Sequence, residues 1–425
     1  MSLRMILALS LFVVSFILIS TEKINKTLVA IIAAMLFISM GLIDQQEAFY
    51  HVDWNVIFLL IGMMIIVGIT KNTGLFQYIA IWTAKAVKGD PVKILIALAM
   101  ITAVLSAMLD NVTTILIITP VSILIAVELG ISPAPFVISN AIASNIGGTA
   151  TLIGDPPNIM IGSAVGLSFM DFLVTLGPVV LLTLLVLSLL IFLFFRKQLQ
   201  VSKQRRGRIM EFNEALSIKN KPLLIKSLSV LSLVFIGFLL HELTGIEPAT
   251  VSLFGAAVLM LISGAEEVEE FFHEVEWTTI FFFIGLFVLV GTLEELGIIE
   301  MLAGRVMSLT RGDVAVTSIV VIWMSGVLSA LVDNIPYVAT MIPLVENMGE
   351  TMGAVAVMPI WWSLALGSCF GGNGSLIGAS ANVVGAGISA RSGYKISFLQ
   401  FTKYGVVVTF VSLLISTAYI YLFVL

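Results

Sequence analysis

Asn145-Ile-Gly-Gly-Thr-Ala-Thr-Leu-Ile-Gly-Asp-Pro-Pro-Asn-Ile159 decides how the rest of the chain is read. It cannot be one continuous helix. Gly147 and Gly148 weaken a helix, and Pro156 and Pro157 lack the N–H and clash with the preceding turn. Yet Phe136–Asn145 before it and Ile159–Val165 after it are apolar enough to lie in lipid. At membrane depth a broken segment is tolerated only where protein covers it or where it lines a polar cavity. The stretch therefore predicts a discontinuous transmembrane helix whose freed backbone groups and hydroxyls face a ligand. The pattern returns at Phe370–Val383, where Gly371-Gly-Asn-Gly-Ser-Leu-Ile-Gly378 precedes Ser380 and Asn382.

The surroundings fit a membrane interior. The chain has 425 residues, of which 59% are hydrophobic and 11% charged, with a mean hydropathy of +1.12. Soluble chains carry about 25% charged residues. The apolar runs far exceed the ~10 residues of a barrel strand, so the protein is expected to be an all-α, polytopic membrane protein. A net charge of −5 gives no reason to expect a nucleic-acid partner. The single cysteine, Cys369, excludes an intrachain disulfide and a cysteine metal cluster. His51, His241 and His273 fall at predicted helix ends, which argues against a buried histidine relay.

Shifted by 223 residues, the sequence matches itself. His51–Pro120 lies over Glu274–Pro343 without a gap, and 20 of 70 positions are identical. The best run sets Val104-Leu-Ser-Ala-Met-Leu-Asp-Asn111 over Val327-Leu-Ser-Ala-Leu-Val-Asp-Asn334. One residue of slip later Gly147 meets Gly371, Thr151 meets Ser375 and Asn158 meets Asn382. Internal repeats of this size mark secondary transporters. The expected organisation is a first repeat (1–195), a basic linker (196–221) and a second repeat (222–425). Met5–Ile19 is read as the first membrane helix, not a signal peptide, because Ile225–His241 is its repeat partner. Leu75–Val87 and Ile298–Ser308 are too short to span with certainty and are expected as connecting arms.

The linker is expected as a solvated cytoplasmic tether, since basic loops stay inside. Counting crossings from it places 18 of 21 Lys/Arg in the cytoplasm, Lys26 among them. The count gives each half an odd number of crossings, so the halves are inverted in the membrane and both termini are external.

Asp110-Asn111 and Asp333-Asn334 each sit between two apolar helices. They read either as surface turns or as tips of re-entrant hairpins. The recurrence of Ser-Ala-x-x-Asp-Asn in both halves, and the oxygens of Thr113 and Thr114 just beyond, favour the tips. An intramembrane carboxylate is costly and marks a functional site by default. Asp155 is a third such acid, and its repeat partner is Ala379, so the half-sites are unequal. Asn145, Gly147, Gly148, Thr149, Thr151 and Asn158 are the candidate ligands of the first break. Gly372, Asn373, Ser375, Ser380 and Asn382 are those of the second. Close helix packing is the competing reading for the glycines. Na⁺ is a possible occupant at Asp110, Asn111, Asp333 and Asn334, with Na⁺ or H⁺ as coupling ion and no organic cofactor.

These motifs resemble the ion transporter superfamily over essentially the whole chain. The branch they look most like is the arsenite-permease/NhaD type, which includes relatives of the melanosomal P protein. The resemblance implies a homodimer in a prokaryotic-type plasma membrane, elevator-type alternating access, and ions and substrate held between hairpin tips and broken-helix loops. It points first to Na⁺/H⁺ exchange or arsenite efflux, with Na⁺-coupled dicarboxylate or citrate transport as the alternative. In the dicarboxylate/sodium symporters the tips read Ser-Asn-Thr. Asp110 and Asp333 replace that Ser here, and Val112 and Ile335 replace that Thr. No Lys or Arg lies between Lys93 and Arg196 or between Arg311 and Arg391, so a dianion is expected to meet acids and no fixed cation. An intramembrane aspartyl protease using two aspartates explains neither the repeat nor the helix breaks. A channel is the other alternative, which substrate accumulation would exclude.

Overall fold

Lipid offers no partner to backbone N–H and C=O groups, so long apolar runs must satisfy them within helices. In the computed structural model, which describes residues 2–21, 24–264 and 268–425, every regular element is helical among the described residues. The first half contains α1 (Leu3–Thr21), α2 (Lys26–Ser39), α3 (Gln45–Tyr50), α4 (Trp54–Asn72), α5 (Leu75–Ala86), α6 (Pro91–Met108), α7 (Asn111–Leu129), α8 (Ala134–Gly148), α9 (Pro156–Val165) and α10 (Phe169–Phe195). The linker contributes α11 (Lys203–Met210). The second half follows with α12 (Lys221–Leu239), α13 (His241–Thr244), α14 (Pro248–Ser263), α15 (Glu269–Phe272), α16 (Trp277–Glu295), α17 (Ile298–Thr310), α18 (Val314–Leu331), α19 (Asn334–Met352), α20 (Met358–Gly371), α21 (Ser380–Arg391) and α22 (Phe398–Tyr419). Among the described residues nine helices are long and apolar enough to cross a membrane.

The start signals recur with the repeat. Asp90 caps α6 by accepting from Lys93 N, and Asp313 caps α18 by accepting from Val316 N. Asp110 caps α7 by accepting from Thr113 N, and Asp333 caps α19 by accepting from Ile335 N. Such caps contribute about 1 kcal/mol each. At two exchanged contacts the halves meet as a two-fold pair would. His51 packs on Gly291 and faces Glu294 and Glu295, while its repeat partner Glu274 packs on Gly68 and faces Lys71 and Asn72.

The helices form two bodies. One gathers α1, α2, α4, α12, α14 and α16. The other gathers α6 to α9 with α18 to α22, closed on its outer side by α10. Direct contacts between them are sparse and run chiefly along α4 and α16 against α7, α9 and α19. The expected arms are there: α5 connects α4 to α6 and α7, and α17 connects α16 to α18 and α19.

The linker is not a free tether. Arg205 donates to the carbonyls of Leu129 and Gly130 that end α7, Arg206 pairs with Asp90, and Lys85 pairs with Glu214. The Lys85 hydrogen bond holds the Glu214 carboxyl below the usual carboxylate range. Basic side chains near a helix C-terminus meet its negative dipole end, which is why a basic linker docks here.

Candidate functional site

The two broken helices and the two hairpin tips meet at one place. α8 ends at Gly148 and α9 begins at Pro156, while α20 ends at Gly371 and α21 begins at Ser380. Asn111 and Asn334, the first residues of α7 and α19, both donate to the Asp155 carboxylate, at 3.2 Å each to Oδ1. Asp155 has no exposed surface. The tips are therefore interior, and the surface-turn reading of Asp110-Asn111 and Asp333-Asn334 fails.

A chain of asparagines joins the halves. Asn111 Nδ2 also donates to Asn145 Oδ1 at 3.1 Å. Asn145 Nδ2 in turn donates to Asn373 Oδ1 at 3.0 Å and Asn382 Oδ1 at 3.1 Å. Each buried amide hydrogen bond contributes about 1 kcal/mol net, and each one left unmade costs ~1–3 kcal/mol. Such a network fixes geometry strongly.

Several candidate ligands serve as braces. Asn158 Nδ2 lies within hydrogen-bond distance of the carbonyls of Gly148, Thr149 and Thr151. Its counterpart Asn382 Nδ2 donates to those of Gly372 and Ser375. Thr151 Oγ1 donates to Ala107 O and Ser375 Oγ to Ala330 O, each tying a loop to the helix that leads to its own tip. Thr149 Oγ1 is turned back to Asn145 O. The glycines permit close crossing. A Cβ on Gly147 would stand 2.1 Å from Ala103 O, and one on Gly148 2.3 Å from Gly154 O. One on Gly371 would stand 2.7 Å from Gly326 O, and one on Gly372 3.1 Å from Gly378 O. At these glycines the packing reading describes the contacts.

Other polar groups stay uncommitted. Asn111 Oδ1, Thr114 Oγ1 and Asn373 Nδ2 are buried without a protein partner, which in a native interior calls for water, an ion or a ligand. Asp110 uses Oδ1 to cap Thr113 N at 2.8 Å, and Thr113 itself is half-buried beside it. Asp110 lines a cavity of about 330 Å³ between the two bodies, with Lys26, Pro156, Glu276, Phe282 and Ser380. Ligand pockets of roughly 300–1,000 Å³ hold small molecules. The Glu276–Thr278 rim lies on the linker's face, since Glu274 pairs with Lys71 and Lys219 N donates to Thr73 O nearby.

Two cavity residues escaped the sequence reading. Glu276 was not singled out. Lys26 falls in a segment expected to be cytoplasmic loop, and the expectation that no fixed cation reaches the site is wrong. Lys26 Nζ sits 2.6 Å from Asp333 Oδ2 and 2.7 Å from Ser380 Oγ. A signal was available: Lys26 opens an apolar helix at the end where a cation opposes the dipole.

Four helix N-termini also converge. Asn111 and Asn334 begin α7 and α19, and both touch Asp155, which precedes α9. Ser380 begins α21 and donates to Asp333 at 2.6 Å. Each N-terminus carries roughly half a positive charge.

Broken helices whose N-termini converge beside uncommitted polar groups, within a bundle of membrane-spanning length, define a membrane transporter. Residues 16–367 match the citrate transporter family, CitMHS, and the chain belongs to that family. It is 43% identical to an uncharacterized transporter of Mycobacterium tuberculosis, over 98% of each chain. It is 31% identical to the P protein of Homo sapiens, over 95% of this chain and 58% of that protein. The YdaH transporter of Alcanivorax borkumensis shares the fold, with a TM-score of 0.62 at 10% identity, covering 99% of this chain and 98% of that one. These relationships make the chain a multi-pass membrane transporter and bear out its likeness to relatives of the P protein.

Proposed function

We propose that the protein moves a small carboxylate such as citrate across the membrane, coupled to H⁺ or Na⁺. The observation that carries this reading is the meeting of four helix N-termini beside the unpartnered Asn373 amide and Thr114 hydroxyl, in a chain of the citrate transporter family. N–H groups at helix starts and an amide donor receive a carboxylate without a guanidinium. Neither Pro156 nor Pro157 has an N–H to offer, so the start of α21, which has no side-chain cap, is the better carboxylate seat. Asp110, facing the cavity, carries the coupling cation.

Two bodies with few direct contacts and a cavity between them support alternating access by motion of the tip-bearing body past the other. Assembly as a homodimer belongs to the same proposal. A second reading, Na⁺/H⁺ exchange, draws on Asp110 and Glu276, two acids on the cavity wall against the single cation Lys26.

Purified protein in liposomes with defined pH and Na⁺ gradients separates the readings. Citrate, succinate and arsenite uptake and Na⁺/H⁺ exchange are measured in turn. Saturable, gradient-driven citrate or succinate uptake is expected. Na⁺/H⁺ exchange or arsenite movement with no carboxylate uptake would overturn the proposal.

A further inference from the structure

The two tip carboxylates are related by the repeat, yet among the described residues only one is paired with a cation of the chain. Asp333 Oδ1 caps Ile335 N at 3.1 Å, and its Oδ2 takes Lys26 Nζ and Ser380 Oγ. Asp110 Oδ1 caps Thr113 N, and among the described residues no Lys or Arg pairs with Asp110. The neighbours differ accordingly. Ser380, which supports the ion pair, corresponds to Pro156, and Lys26 corresponds to Ala249. A carboxylate removed from water needs a countercharge. Asp333 has one built in, whereas Asp110 faces a cavity of about 330 Å³.

Lys26 has no local reason to be where it is. It is the first residue of α2, where its charge opposes the helix dipole. Its ammonium lies 4.9 Å from the centre of the Phe282 ring, so an aromatic face holds it against the tip. It also belongs to the body of α2 and α16, whereas Asp333 and Ser380 belong to the other body. This ion pair therefore bridges the boundary at which the cavity lies.

We propose that Lys26 is a tethered cation: it fills the Asp333 half-site, so that only the Asp110 half-site takes a mobile H⁺ or Na⁺. The chain then binds one exchangeable cation fewer at its tips than two repeat-related acids would allow. Separating the two bodies breaks the Lys26–Asp333 pair, which ties the position of the tips to the charge state of Asp333. This deepens the reading above and rests on the coupling role it gives Asp110.

Cation counts test it without any carboxylate. Equilibrium binding of radioactive Na⁺ at mildly alkaline pH, with potentiometric proton counts on the same detergent-purified protein, gives the cations held per protomer. Counted apart from the lysine's own proton, Lys26→Met is expected to hold one more Na⁺ or H⁺ than wild type, and Lys26→Met/Asp333→Asn to return to the wild-type count. Asp110→Asn is expected to hold one fewer. The Na⁺ and proton arms tell which ion fills the vacated place. An unchanged count in folded Lys26→Met overturns the proposal. Should that variant fail to fold, an unchanged count in Asp110→Asn overturns it instead. Expected counts combined with absent citrate uptake would refute the substrate assignment and leave the tethered cation standing.

Discussion

The tip and loop of the first repeat and those of the second are built with the same braces and different charges. Asn158 and Asn382 both hold their loops through the equivalent carbonyls of Gly148 and Gly372 and of Thr151 and Ser375, and Thr151 and Ser375 tie those loops to equivalent backbone positions. Architecture has stayed paired because each loop must cross its neighbour at glycine distance. Chemistry has not. The first half has Asp110 open to the cavity and Asp155 at the centre, while the second has Ala379 opposite Asp155 and Asp333 closed by Lys26. Repeat symmetry here specifies a scaffold, and single departures from it specify the charge at each tip.

Asp155 gives the largest expected effect, because it is the one acid that both halves grip. Asp155→Ala leaves the amides of Asn111 and Asn334 without this acceptor, at ~1–3 kcal/mol for each donor left unsatisfied. Citrate uptake in liposomes is expected to fall by about 100-fold or more, with a lower unfolding temperature. Ala379→Asp, the reverse change in the second half, is expected to impair uptake by adding an unpaired buried acid. Normal uptake in Asp155→Ala would mean that the tips do not need a shared acceptor.

The glycine crossings come next. Gly147→Ala forces a Cβ to 2.1 Å from Ala103 O, and Gly371→Ala to 2.7 Å from Gly326 O. Overpacking costs ~1–3 kcal/mol, and the first variant is expected to lose more thermal stability than the second. An equal, negligible loss in both would show that the paired helices of each half can move apart at these crossings.

The smallest effect lies outside the site, where the linker clamps the first half. Glu214 has its carboxyl held below the usual range by Lys85, so its contribution is present at neutral pH and is lost as pH falls below about 4.5, the ordinary glutamate value. Limited proteolysis within Arg196–Lys221 is expected to quicken over that window in wild type and much less in Glu214→Gln. Equal acid sensitivity in both would dismiss this contact as the clamp.

Much of this was legible in the chain. Pro156 and Pro157 could not continue a helix, and the gapless match of Asp110-Asn111 to Asp333-Asn334 already implied two equivalent tips. Local backbone rules and a repeat suffice for that. Lys26 was not legible, because it reaches the second tip from a segment 307 residues away, and a count of charges along the chain has no term for such a contact. The expectation that no fixed cation reaches the site failed for the same reason, and the convergence of helix starts is likewise a tertiary property. The linker was misjudged because its basic residues read as solvent-facing, whereas the carbonyls ending α7 supply acceptors for Arg205. The brace roles of Asn158 and Asn382 could have been suspected from their fixed spacing behind each glycine pair, although spacing alone does not distinguish a brace from a ligand.

The inequality of the two tips is tested most directly by radiolabelled citrate uptake in three variants measured side by side. Asp110→Asn removes the open acid, Asp333→Asn leaves Lys26 without its partner, and Asp333→Asn/Lys26→Met removes both ends of the pair. The expected result is a loss of about 100-fold in Asp110→Asn and a comparable loss in Asp333→Asn, with the double variant recovering at least tenfold over Asp333→Asn because no unpaired charge remains. Equal inactivity of Asp333→Asn and the double variant, in protein that still folds, would contradict it: the second tip would then need its own carboxylate, as the first does.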